Sequence, residues 1–279
     1  MSSIPPDPTP PSESVCFDGQ ADTFEARAGL PPGLDDEVAG AILSLARDRS
    51  VEGPLLDVGA GTGSPGRALL RAGIPTVGLD LSLPMLRTFA SRLGDVVGRW
   101  LLVQADGRST WPLRDGSMGV ILLSRSAHHL DVDRLVAECA RVGRPSGSLV
   151  VLGRLGRGVG SIQESLRRRL QEILVGSGFA GRASEPFQKA LRRAFVAAGA
   201  RLRDEPVVVA RHSVEESAAK ALASWRGKEG LAGLLLDETM KASILDELEE
   251  WARANLGVLD RTVLCDRSYR LTVIEQGRP

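Results

Sequence analysis

Apolar residues in the first half of the chain gather into short runs, each stopping at a carboxylate or hydroxyl. Leu55-Leu56-Asp57-Val58 gives way to Gly59-Ala60-Gly61-Thr62-Gly63, and Pro75-Thr76-Val77-Gly78-Leu79 stops at Asp80. Trp100-Leu101-Leu102-Val103-Gln104-Ala105 stops at Asp106-Gly107, and Val120-Ile121-Leu122-Leu123 at Ser124. Short apolar runs bounded by turn residues predict buried strands, and helical patterns between them predict βαβ units around a parallel sheet. After the first run the spacing predicts a helix with Ser64 as N-cap, Pro65 at its first position and Gly73 at its close.

Further helices follow from apolar residues three or four apart. Val38, Ile42, Leu45 and Ala46 mark a helix over 34–47, preceded by another over 21–28. Leu135, Val136, Cys139 and Val142 mark one over 131–142, which makes Cys139 a core residue and Gly143 its cap. A fifth strand is expected over 148–152. Ser161-Ile162-Gln163-Glu164 reads as a capping box opening a helix that buries Leu166, Leu170, Ile173 and Leu174, with Arg167, Arg168 and Arg169 on its solvated face. A helix over 185–198, a sixth strand over 206–210 and a final strand over 262–274 complete the sheet. Between the last two strands lie residues 211–259, more than a bare crossover requires. They hold helices over 213–224 and 237–256, the second with Met240, Ile244, Leu248 and Trp251 in one stripe.

The glycine loop is the first chemical signal. Small residues there let backbone lie against a ligand where a Cβ would intrude. Gly61-x-Gly63-x-x-Gly66 also fits a dinucleotide fingerprint, and Asp80 stands where either a nicotinamide or an adenosyl ribose would need a carboxylate.

Taken in order, the four strand ends resemble the class I S-adenosylmethionine-dependent methyltransferases, specifically their small-molecule branch. The resemblance rests on the LDVGAGTG loop, the GLDLS second strand, the QADG third and the HHL turn after the fourth, and runs from about Pro54 to Leu152. It implies a doubly wound seven-stranded α/β sheet with the last strand antiparallel, Rossmann-like, and S-adenosyl-L-methionine as cofactor, leaving S-adenosyl-L-homocysteine. Gly59, Ala60, Gly61 and Gly63 would line the methionyl and ribose portion, with Asp57 near the donor's ammonium group. Asp80 would hold the ribose hydroxyls, Leu81 and Met85 would flank the adenine, and Ala105, Asp106 and Gly107 would meet its edge. Ser124 and Arg27 complete the expected donor contacts.

A segment over 17–27 looks like the element that folds over the donor in such enzymes. Phe24 is its candidate substrate contact; the alternative is an aromatic plugging the domain edge. Residues 211–259 are expected to form a helical lid, with Trp225 and Arg226 toward the acceptor. His128 and His129 leave the fourth strand beside the expected methyl position and are candidate catalytic bases, His129 the favoured one, since imidazole can take a proton near neutral pH. Alternatively one caps the following helix and the other packs on the sheet. His212 is a further candidate. Competing readings are a donor-binding protein of this fold that performs no methylation, and a nicotinamide-dependent oxidoreductase.

Composition narrows partners. Lys+Arg and Asp+Glu both number 35 in the 279 residues, so no global basic field recruits nucleic acid. The fourth strand also lacks the Asn/Asp-Pro-Pro-Tyr ending of enzymes that methylate amino groups on bases or glutamine. Both point to a small-molecule acceptor. Three cysteines without paired spacing suggest neither disulfides nor a metal site, and imply a reducing, cytoplasmic setting. No membrane span is expected, and the oligomeric state stays open. The domains expected are a disordered leader over 1–16, a catalytic domain over 17–210 plus 260–279, and the lid over 211–259.

Overall fold

A computed structural model describes residues 18, 21, 24, 29–94, 96, 98–158, 160–179, 187–203, 205–227, 230–232, 234 and 236–277. The expected leader, most of the helix over 21–28, and Arg27 lie outside these residues. Two compact units share the chain. The first takes the described residues up to Arg154, those of Phe187–Val207, and those from Leu271 on; the second takes those of Leu155–Pro186 and Val208–Arg270.

The first unit is built on α1 (Leu34–Asp48), β1 (Leu55–Val58), α2 (Gly66–Arg71), β2 (Thr76–Asp80), α3 (Leu83–Ser91), β3 (Trp100–Gln104) and β4 (Val120–Ser124). A 3-10 turn over Ala127–His129 leads to α4 (Val132–Val142), and β5 (Ser148–Arg157) starts in this unit. To it also belong α6 (Phe187–Ala197), β6 (Arg201–Leu202) and the end of β8 (Val263–Gln276); α5 (Ile162–Gly176), which precedes α6, lies in the second unit. The strand order is β3-β2-β1-β4-β5-β8-β6. β1 pairs in parallel with β2 and β4, and β8 antiparallel with β6. The parallel pairing and the antiparallel last strand follow the sequence expectation. The count does not, because Arg201–Leu202 pairs with Ile274 and Glu275 as a short strand of its own, giving eight.

Alternation along each strand sends neighbouring side chains to opposite faces. Leu56, Val58, Ile121, Leu123, Val150 and Leu152 join Leu135, Val136, Cys139 and Val142 of α4 and Leu191 and Phe195 of α6 in one core. Asp57 faces the other way, under α2, where Phe89 of α3 packs with Ala60, Leu70 and Leu93. The expected cap of α2 is corrected. The helix begins at Gly66, and Ser64 turns instead to donate from Oγ to Asp35 Oδ1 of α1 at 2.5 Å. Gly73 does end it, at φ +85.

The second unit holds α5, β7 (Val207–Glu216), α7 (Ala218–Arg226), α8 (Glu238–Leu256) and the start of β8, which pairs with β7. Its core joins Leu166, Leu170, Ile173 and Leu174 to Ala221, Leu222, Ile244, Leu245 and Leu248, with Trp225 and Trp251 packed against it. Residues 211–259 lie within this unit, which also takes in α5. Glu216 is buried, accepts from Gln163 N at 3.2 Å, and is ion-paired with Arg267.

Candidate functional site

Four strand ends of the first unit converge on one cavity of about 310 Å³. Its walls are the glycine loop after β1, Asp80, Leu81 and Met85 after β2, Asp106 to Arg108 after β3, and the turn from Ser124 to Leu130 after β4, with Phe24 above them in sequence. That placement is what a parallel sheet gives: strand ends on one edge, with side chains held over the crevice there.

The loop glycines divide their roles. At Gly59 (φ +72) a side chain would lie 2.4 Å from Ser126 Cβ, so glycine there lets the β1 and β4 turns touch. Ser126 Oγ donates to Val58 O at 2.5 Å and locks that contact. Gly61 (φ +53) has nothing within 4 Å of the missing Cβ and leaves its backbone open to the cavity. Gly63 packs on Phe89 instead and is not among the lining residues.

Asp80 Oδ2 accepts from Gly61 N at 2.7 Å and Oδ1 from Ser82 N at 2.8 Å. These bonds fix the loop yet use only part of a carboxylate's accepting capacity, leaving sites for a vicinal diol. Burial raises the Asp80 pKa, with the backbone N–H groups opposing it. Asp106 Oδ1 accepts from Arg108 N at 2.9 Å and lies 3.6 Å from the Arg108 guanidinium. Gly107 accepts at its carbonyl from Trp111 Nε1 at 2.9 Å, and Ala105 N donates to Asp80 O at 3.0 Å.

Asp57 is fully buried, and neither carboxylate oxygen has a hydrogen-bond partner among the described residues. Burial pushes its pKa up to about 8, Asp80 adds to the rise, and the Arg125 charge opposes it. It is not itself a lining residue. An orphaned buried carboxyl behind an open glycine loop fits a cationic ligand, and a diol-ready carboxylate beside apolar Leu81 and Met85 fits a nucleoside. Together these match S-adenosylmethionine, a sulfonium and ammonium joined to adenosine.

His128 and His129 sit in the 3-10 turn with ring centroids 3.9 Å apart and planes at 41°. Both line the cavity. Neither caps α4, because Asp131 does so, its Oδ1 accepting from Arg134 N at 2.9 Å. Desolvation lowers the His129 pKa, opposed by Asp80, so the ring is neutral at physiological pH. His212 lies on β7 in the second unit, its pKa lowered by burial and by Arg267. Trp225 and Arg226 also belong to that unit, where Arg226 is paired with Asp246 at 2.9 Å and Glu249 at 2.7 Å.

Sequence reasoning overlooked Arg125. It stands at φ +62, a conformation unfavourable for a side chain longer than glycine. Its N donates to Gly153 O at 2.8 Å, its guanidinium lies 6.0 Å from the Phe24 ring centroid, and it lines the cavity. The SRSAHHL sequence carried no sign of the positive φ.

Comparison with known proteins gives the same direction. Residues 56–151 match the family described as "Methyltransferase domain". A demethylmenaquinone methyltransferase of Thermobifida fusca is 29% identical over 160 residues, covering 52% of this chain and 62% of that protein. Another of that name, from Parafrankia, is 33% identical over 172 residues, covering 54% and 66%. The chain thus spans less than two thirds of the length of each. Among solved structures, the Bacillus subtilis YcgJ protein shares the fold at a TM-score of 0.53 with 18% identity, over 86% of this chain and 98% of that one.

Proposed function

Because the chain belongs to the class I S-adenosylmethionine-dependent methyltransferases, we propose that it transfers a methyl group to a small-molecule acceptor in the cavity of its first unit. The observation that carries this reading is the convergence of Asp80, Asp106 and the open Gly61 backbone on one cavity, with the orphaned Asp57 beneath.

In this reading Asp80 takes both ribose hydroxyls, Leu81 and Met85 enclose the adenine, and Asp106 with Gly107 reads its edge. Asp57, protonated in the ligand-free protein, ionises beside the donor's ammonium group and then faces the amino-acid end. When bound, the donor supplies an electrophilic methyl: the acceptor's lone pair forms the new bond as the carbon–sulfur pair returns to sulfur. The protein's part is orientation and exclusion of water. His129, neutral at working pH, takes the proton from an oxygen or carbon acid, as general bases in this pKa range do. Phe24 forms one wall of the acceptor space. The names borne by the relatives make a prenylated naphthoquinol the first acceptor to try.

The test is ligand-dependent stabilisation followed by transfer. S-adenosylmethionine or S-adenosylhomocysteine at about 100 times its dissociation constant adds roughly 2.7 kcal/mol to stability, whereas NAD adds none. A screen with methyl-labelled donor then identifies the acceptor. Stabilisation by NAD and not by the adenosyl compounds would overturn the assignment.

A further inference from the structure

Resting on that donor reading, the geometry points to Arg125 as the group that holds the acceptor's oxyanion, and so to an acceptor whose reacting hydroxyl is borne by a conjugated ring or enol.

The argument begins with placement. Arg125 leaves β4 at φ +62, and the turn is tied on both sides: Arg125 N to Gly153 O of β5, and Ser126 Oγ to Val58 O of β1. Strained backbone held by surrounding bonds is a mark of functional placement. Here it directs a guanidinium along the cavity wall that also bears His128 and His129, three and four residues further on. The other arginine of the wall, Arg108, is turned to Asp106, 3.6 Å away.

Charge supplies the second step. The cavity wall already carries the carboxylates of Asp80 and Asp106. When a neutral His129 removes a proton from the acceptor, the imidazole becomes cationic and the acceptor oxygen anionic. An oxyanion forming among carboxylates in a partly desolvated space is costly unless a fixed cation meets it. Arginine suits this because its guanidinium stays charged and offers a planar set of donors. The same reasoning sets the acceptor class. An aliphatic hydroxyl is too weak an acid for an imidazole of lowered pKa, while a phenol or enol delocalises its charge and ionises several pH units lower, at about 10 for a simple phenol. The Phe24 ring, facing the same guanidinium at 6.0 Å, provides a flat apolar surface for such a conjugated system.

The test uses the whole protein loaded with S-adenosylhomocysteine and 4-nitrophenol as probe, whose absorbance reports its own ionisation. Wild-type protein should lower the probe's apparent pKa by about one unit, a tenfold gain in the phenolate-to-phenol ratio at fixed pH. R125M should abolish the shift and R125K restore part of it, while calorimetric affinity for S-adenosylhomocysteine changes less than about threefold, under 0.7 kcal/mol. No shift with wild type, or an equal shift with R125M, overturns the proposal. So does an R125M loss of S-adenosylhomocysteine affinity as large as its loss of probe response, which would assign the guanidinium to the donor's carboxylate. Failure of wild type to bind S-adenosylhomocysteine at all would instead overturn the donor reading itself.

Discussion

Replacing Asp57 by Asn should make the empty protein more stable as pH rises, at the expense of donor binding. In the native state the carboxyl stays protonated up to about 8, against an ordinary 3.8 when unfolded. Between those values the native state holds a proton that the unfolded chain releases, so stability falls with rising pH. Each pH unit inside this window costs about 1.36 kcal/mol, and from pH 5 to pH 7 the group removes about 2.7 kcal/mol from wild type. D57N lacks the titration, while the histidines and the other carboxylates titrate in both proteins and cancel in the difference. For a chain of this size the gap corresponds to a relative change in Tm of roughly 5–10 °C. Thermal melts of ligand-free wild type and D57N at pH 5, 6 and 7 measure it, with the fluorescence of Trp111, buried in the first core, as probe. Parallel pH profiles for the two proteins would show that Asp57 is ionised in the native state, and the desolvation argument would be refuted.

Asp80→Ala should weaken S-adenosylhomocysteine more than tenfold by calorimetry, since two charge-assisted hydrogen bonds of about 1.5–3 kcal/mol each are lost. For an oxygen or carbon acceptor, His129→Gln should lower turnover by roughly two to four orders of magnitude with donor affinity kept. The wild-type rate should fall in acid only below the ordinary imidazole pKa of 6.5, because the His129 value is lowered and the ring must be neutral to accept a proton. In the second unit, Glu216→Gln leaves the partly buried Arg267 charge without its counter-ion and should destabilise the unit by up to about 3 kcal/mol, read as faster hydrogen exchange in α7 and α8.

The cavity-lining strand ends were legible because a run of apolar residues must stop there and the stopping residue faces the crevice. Asp80, Asp106 and Gly61 were each readable by position alone, and the structure brings them to one cavity. Local rules failed where tertiary partners chose otherwise. Ser64 looked like an N-cap, but Asp35 of α1 takes its hydroxyl. The helix expected over 213–224 starts only at Ala218, because β7 runs on to Glu216 beside β8; Ser213 Oγ reaches Asp266 Oδ1 at 3.0 Å, and Ser217 becomes the cap. Trp225 stood out between glycines as a candidate contact, and nothing in its neighbourhood announced the core of α5, α7 and α8 against which it packs. The positive φ of Arg125 depends on bonds to β5 and on its neighbour's bond to β1, neither visible from the residues nearby.

If the cavity holds a sulfonium donor as proposed, its Asp80 and Asp106 carboxylates bear on cofactor exchange. A sulfonium donor arrives with one more positive charge than the thioether it becomes, so the acidic surroundings attract the two species unequally. In the proposed reaction, transfer of the methyl group would discharge the ligand in place, and with it part of the force that held it there. Such a site would favour exchange of spent for fresh cofactor without any moving part, a preference that added salt would weaken by screening its outer charges.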